Sequence, residues 1–270
     1  MKKLINLILI FITFSQLYSQ KIIRQEVFSP KMNKKIKVIV VTPNLEAKKA
    51  YNSVYILHGF SGNPERIIKE DIPGLAEKSQ KYGTIYILPD GNFSSWYVDS
   101  PIVKDSQYQT FIGKELVEFI DKNYPVKKEK AQRGILGWSM GGYGATNIGV
   151  TYHDTFGVVG SSCGALDFRV FGENYNKYQV DKVLGPFESL KSNYLTDSKI
   201  NQMETAQQHY IFDCGTEDVQ MIEQNRKFHQ ALTQKKIQHL YIESLGAHDT
   251  KYWSRSLTNQ LALFEKYFGK

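Results

Sequence analysis

Three residue types that together perform acyl transfer occur along this chain in a telling order: a serine among glycines, then a carboxylate, then a histidine. Ser139 sits in "GWSMG", Gly137 to Gly141, which fits the pattern G-x-S-x-G. Before it runs the apolar "QRGILGW" and after it the helix-compatible "GGYGATNIGVTY". Between a strand and a helix, this motif describes a turn so sharp that the serine is held in a strained conformation. Its flanking glycines are required because a Cβ would collide with neighbouring backbone. The helix that follows aims free amides and the positive end of its dipole at any anion forming there.

A serine hydroxyl is a weak nucleophile until a base takes its proton, and the base needs a carboxylate to orient it. The chain has six histidines. His153 is expected on the helix after the serine, too near in sequence. His209 and His239 lie near strand starts, and His229 on an amphipathic helix. His58 follows an early strand, where bracing a loop is the expected role. His248, in "SLGAHDTKYW", falls in a loop after the last strand and before the final helix, where the base belongs. For the acid, "IFDCGTEDVQM" offers Asp213, Glu217 and Asp218. Asp213 lies within the strand run. Asp218 lies beyond Gly215, in a loop at the carboxyl end of a parallel sheet, and is preferred, with Glu217 the alternative. Asp249 is expected to make local loop contacts. The stretch "YILHGFSGNPE" supplies a second loop, so the amides of Phe60 and Met140 are expected to form an oxyanion hole. Each such donor is worth about 3 kcal/mol in the transition state.

The elements that must position these residues alternate. Strands are predicted over 36–43, 53–59, 84–91, 132–138, 156–162, 209–215 and 238–244. Several are short continuous apolar runs, the signature of strands buried on both faces. Helical patterns occupy 110–125, 221–236 and 252–268. The predicted class is α/β, a mostly parallel sheet flanked by helices. From 167 to 207 the alternation fails in a tyrosine- and lysine-rich stretch, which is expected to form a lid-like insertion over the site.

A length of 270 residues with 41% hydrophobic and 23% charged residues suits one globular domain, predicted here over 21–270. Residues 1–20 have two lysines and then an apolar run from Leu4 to Phe14, the layout of a secretory signal peptide with cleavage near Ser19 or Gln20. A secreted or periplasmic location is therefore expected, without stable membrane association after cleavage. Removing Lys2 and Lys3 lowers the formal charge from +7 to about +5, carried by scattered lysines. No basic stripe with stacking aromatics is visible, which argues against a nucleic-acid partner. Cys163 and Cys214 are the only cysteines; export permits a disulfide, but two buried free thiols are expected. No metal-ligand spacing stands out, and the chemistry proposed needs neither metal nor organic cofactor.

Taken together, "ILHGFSGN", "LPDGNFSSWYVDSP", "GWSMGGYGA", "SSCGALDF", "DCGTED" and "GAHDTKYW" resemble the esterase D family of α/β-hydrolases. That family includes S-formylglutathione hydrolases, feruloyl and acetyl-xylan esterases, and mycolyltransferases. The resemblance spans roughly residues 30–268. It implies the α/β-hydrolase fold, Ser139 as nucleophile, Asp218 as acid, His248 as base, and Phe60 and Met140 as oxyanion donors. It further implies that Trp96, Tyr97 and Asp99 border the acyl pocket. With export, it points to an esterase acting on small or polysaccharide-linked acyl esters, acetyl or feruloyl. An acyltransferase to a sugar hydroxyl, a serine peptidase and a non-catalytic carbohydrate- or wall-binding protein are the alternatives.

Overall fold

The computed structural model describes residues 21–268, so the expected leader, residues 1–20, lies outside the described residues. Eight strands form one sheet in the order β1-β2-β4-β3-β5-β6-β7-β8: β1 (Lys21–Ser29), β2 (Lys34–Thr42), β3 (Asn52–Leu57), β4 (Thr84–Pro89), β5 (Arg133–Trp138), β6 (Val158–Ser162), β7 (His209–Gly215) and β8 (Leu240–Ser244). The β1–β2 and β2–β4 pairs are antiparallel, and every other pair is parallel. The mostly parallel sheet expected from the sequence is present, with seven of its strands near their predicted places. β1 is an addition that the sequence reading lacked. It is an edge strand whose outer half is largely exposed, so the signal of double-sided burial is missing.

The central strands β4, β5 and β6 are buried along their whole length because helices cover both faces. Ile135 and Val159 meet Gly149 of the helix Met140–Thr151, whereas Phe264 of the helix Thr250–Tyr267 lies over Gly134 and Gly160. These residues alternate along β5 and β6, so the two helices sit on opposite sides of the sheet.

Asp249 caps the last helix, accepting from Tyr252 N–H at 2.8 Å, which is the local loop contact expected of it. Asp213 fastens that helix to the sheet: its buried carboxylate accepts from Ser162, Tyr252, Ser256 and Gln260. Burial raises its pKa, and the four donors oppose that rise.

Residues 167–207 fold as a string of short helical turns, from Phe168–Phe171 to Ile200–Thr205. They pack over the carboxyl ends of the strands: Trp96 Nε1 donates to Tyr178 O at 2.9 Å and Tyr143 OH to Tyr194 O at 2.8 Å. Among the described residues no helix is long and apolar enough to cross a membrane.

Candidate active site

Ser139 stands at the junction of β5 and the helix Met140–Thr151 with φ 53° and ψ −119°, a backbone conformation that L-residues avoid. Neighbours hold it there. Ser139 N–H donates to Ser162 O at 3.0 Å, while Tyr143 N–H donates back to Ser139 O at 3.1 Å. A Cβ on Gly137 would stand 2.2 Å from Gly141 O, and one on Gly141 would stand 2.1 Å from Leu57 O. Both glycines are there because backbone passes where a side chain would be.

The three residues chosen from sequence meet. His248 Nε2 lies 2.9 Å from Ser139 Oγ, and His248 Nδ1 lies 2.6 Å from Asp218 Oδ2. Asp218 is buried, and its other oxygen accepts from Met221 N–H at 3.1 Å. Asp218 is reached through the turn after β7, and His248 through the loop after β8. Parallel neighbours thus deliver both side chains to the same end of the sheet as the serine. Burial pulls the His248 imidazole down, but its bond to Asp218, with contributions from the Cys163 sulfur and the Asp218 charge, outweighs this and raises it from 6.5 to about 9. Glu217 is exposed and takes no part. His153 lies just past the end of its helix, not on it, and pairs with Asp154. His229 and His239 bond each other at 2.7 Å, away from the serine.

The loop after β3 presses against the serine, since a Cβ on Gly59 would lie 3.5 Å from Ser139 Cβ. His58 braces this loop: its Nδ1 bonds Gly59 O at 2.8 Å and its Nε2 accepts from Gly91 N–H at 2.9 Å. Phe60 follows in the turn closed by Gly62 N–H to Gly59 O at 3.0 Å. Met140 opens its helix, so its amide has no acceptor within that helix.

A cavity of about 140 Å³ opens beside Ser139 and His248, walled by Phe60, Trp96, Phe171, Tyr178 and Trp253. Trp96, one of the three residues that the resemblance suggested, thus lines the cavity beside Ser139. Tyr97 and Asp99 do not line the cavity. Tyr97 is fully buried, its ring filling the space beside Gly91 and Gly144 and its hydroxyl donating to His58 O at 3.0 Å. The Asp99 carboxylate instead accepts from Thr110 N–H at 2.9 Å and from the Thr110 hydroxyl. Arg66, Gln220, Met221 and Trp253 also line the cavity and were not anticipated. Trp253 sits five residues past His248 and Gln220 two past Asp218, so nearness to the candidate triad was the available signal. A wider groove of about 740 Å³ lies at the other end of β7 and β8, away from this chemistry. Both cysteines are free and buried, as expected.

The family described as "Putative esterase" matches residues 29–264. The chain belongs to this esterase family. It is a serine esterase, a carboxylic ester hydrolase. An acetyl esterase of Caldicellulosiruptor saccharolyticus is 28% identical over 252 residues, 87% of this chain and 89% of that protein. Solved structures share the fold at lower identity. An S-formylglutathione hydrolase of Staphylococcus aureus superposes with TM-score 0.78 at 16% identity, over 91% of this chain and 99% of the other. A ferulic acid esterase of Anaeromyces mucronatus, solved with ferulic acid, gives 0.68 at 19% identity over 94% and 93%. The α/β-hydrolase fold expected from the motifs is the fold of these esterases.

Proposed function

We propose that the esterase is exported and removes short acyl groups, acetyl above all, from carbohydrate hydroxyls through an acyl-enzyme on Ser139. Ser139 Oγ attacks the ester carbonyl while His248 Nε2 takes its proton, and Asp218 holds the imidazole and balances its charge. The amides of Phe60 and Met140 stabilise the tetrahedral oxyanion. His248 returns the proton to the departing alcohol, and water repeats the sequence to free the acid.

The observation that carries the acyl preference is the narrow cavity of about 140 Å³ at Ser139, well below the size of common ligand pockets. An acetyl group fits that space more readily than a cinnamoyl arm does. Its aromatic walls suit the faces of a sugar ring on the alcohol side. The acetyl esterase relative supports the same choice, and the lysine-led apolar run at the N-terminus supports export.

Rates on p-nitrophenyl acetate, butyrate and octanoate, on acetylated xylan and on methyl ferulate test the reading. Acetate is expected to exceed octanoate and ferulate by about tenfold or more in kcat/KM, with free acetate released from the xylan. A preference for ferulate or octanoate would overturn the acyl assignment. Acylated sugar in place of free acetate would make the protein a transferase.

A further inference from the structure

Behind the candidate triad lies one donor that ester hydrolysis does not use. Cys163 follows the end of β6, with φ 45° and its N–H donating to Asp213 O at 2.8 Å. The side chain is fully buried, and its sulfur touches His248 and Cys214. One ligand atom from each of Cys163, Asp218 and His248 falls within 4.8 Å of the others. Ligand atoms around a tetrahedral zinc ion stand roughly 3.5 Å apart, given metal–ligand bonds of about 2.0–2.3 Å. Closing this set requires the 2.6 Å bond between Asp218 and His248 to open by about an ångström.

We propose that Cys163, Asp218 and His248 form an inhibitory site for a soft or borderline divalent cation, zinc or cadmium. The donors are one thiolate, one imidazole nitrogen and one carboxylate oxygen, a combination that such ions prefer and that magnesium and calcium do not. The cavity beside Ser139 reaches His248 of this set, and a fourth position on the ion would fall to water. The nitrogen facing Asp218 is Nδ1. On binding, the ion takes the Nδ1 lone pair, and the proton that nitrogen carries in the catalytic tautomer moves to Nε2. The Cys163 thiol gives its proton to solvent, so one proton leaves per ion when the imidazole starts neutral and two when it starts charged. Nε2 then has no lone pair for the proton of Ser139. The inhibition, though not the binding, rests on the proposed role of His248 as base.

Cadmium titration of the full chain, with a phosphine as the only reductant, tests the site by its ultraviolet thiolate-to-metal charge-transfer band. One ion per chain is expected to produce the band in both the wild type and Ser139→Ala. The same titration should abolish wild-type hydrolysis of p-nitrophenyl acetate, and EDTA should restore it. Cys163→Ala should keep hydrolysis, lose the band, and resist cadmium and zinc at least about 100-fold better. If Cys163→Ala does not fold, Cys163→Ser preserves the volume and should lose the band equally. Equal inhibition of the Cys163 variants, a band that survives loss of Cys163, or inhibition by magnesium at the same concentration would overturn the proposal. Because Ser139→Ala reports binding without turnover, failure of the ion site and failure of the triad assignment are read separately.

Discussion

His248 links Asp218, at 2.6 Å, to Ser139, at 2.9 Å, and as the proposed base it must lose its proton before it can act. The carboxylate that orients the imidazole also stabilises its charged form, raising the pKa to about 9 against the pull of burial. The neutral, active form therefore becomes dominant only on the alkaline side, and kcat/KM should climb with pH along a limb centred well above 6.5. A rate–pH series from 5 to 10 checks this, and a limb centred at or below 6.5 would be at odds with it. Asp218→Asn should cost about 10⁴-fold in kcat while leaving the fold intact. At this scale the meeting of side chains was legible wherever a residue's chemistry and position in a motif agreed, as for Ser139, Asp218 and His248. It misled at Tyr97 and Asp99. Their neighbourhood in a pocket-bordering loop was right, but Tyr97 turns inward to His58 O and Asp99 to Thr110. Nothing in "SSWYVDS" distinguishes the tryptophan facing the cavity from the tyrosine facing the core.

The junction between β5 and its helix is the element on which the serine's placement depends. A side chain at residue 141 would stand 2.1 Å from Leu57 O, a backbone atom with little freedom inside a parallel sheet. Gly141→Ala should therefore destabilise the protein by about 3 kcal/mol or prevent folding, and urea denaturation with circular dichroism measures it. Stability and hydrolysis both unchanged would mean that the turn is looser than described. Strands β3 to β7 were readable because sheet burial on both faces writes continuous apolar runs. β1 was not, since "KIIRQEVFS" alternates and only Val27 and Ser29 are buried. The packing of 167–207 over the strand ends was legible only as a break in pattern. Its short turns are held by tertiary contacts such as Tyr178 O with Trp96, which no local period encodes.

Across the whole molecule several buried groups hold protons more tightly than the unfolded chain does. Burial raises Asp71 to about 6 and Glu265 to about 7, and His248 stands near 9. In each case the folded pKa exceeds the unfolded one, so folding gains as pH falls through the interval between them. The interval for His248 runs from about 9 down to 6.5, that for Glu265 from 7 to 4.5, and that for Asp71 from 6 to 3.8. Stability should rise by on the order of 3 kcal/mol between pH 9 and pH 6, or roughly 5–10 °C in Tm. Below about pH 4 it should fall again, as Asp90, Glu65 and Glu243, whose pKa values are lowered by their partners, become protonated. Thermal melts across this range provide the test, and a Tm that climbs steadily to pH 9 would contradict it. The pH of greatest stability thus lies on the acid side of the pH of greatest activity. Charge at one histidine favours the fold and, with His248 as the proposed base, blocks the chemistry.

The most direct measurement is turnover of p-nitrophenyl acetate by the wild type and by Ser139→Ala, with the variant's fold verified by circular dichroism. With the hydroxyl as nucleophile, the loss should be on the order of 10⁴- to 10⁶-fold. Equal rates from the two folded proteins would contradict the account at its centre.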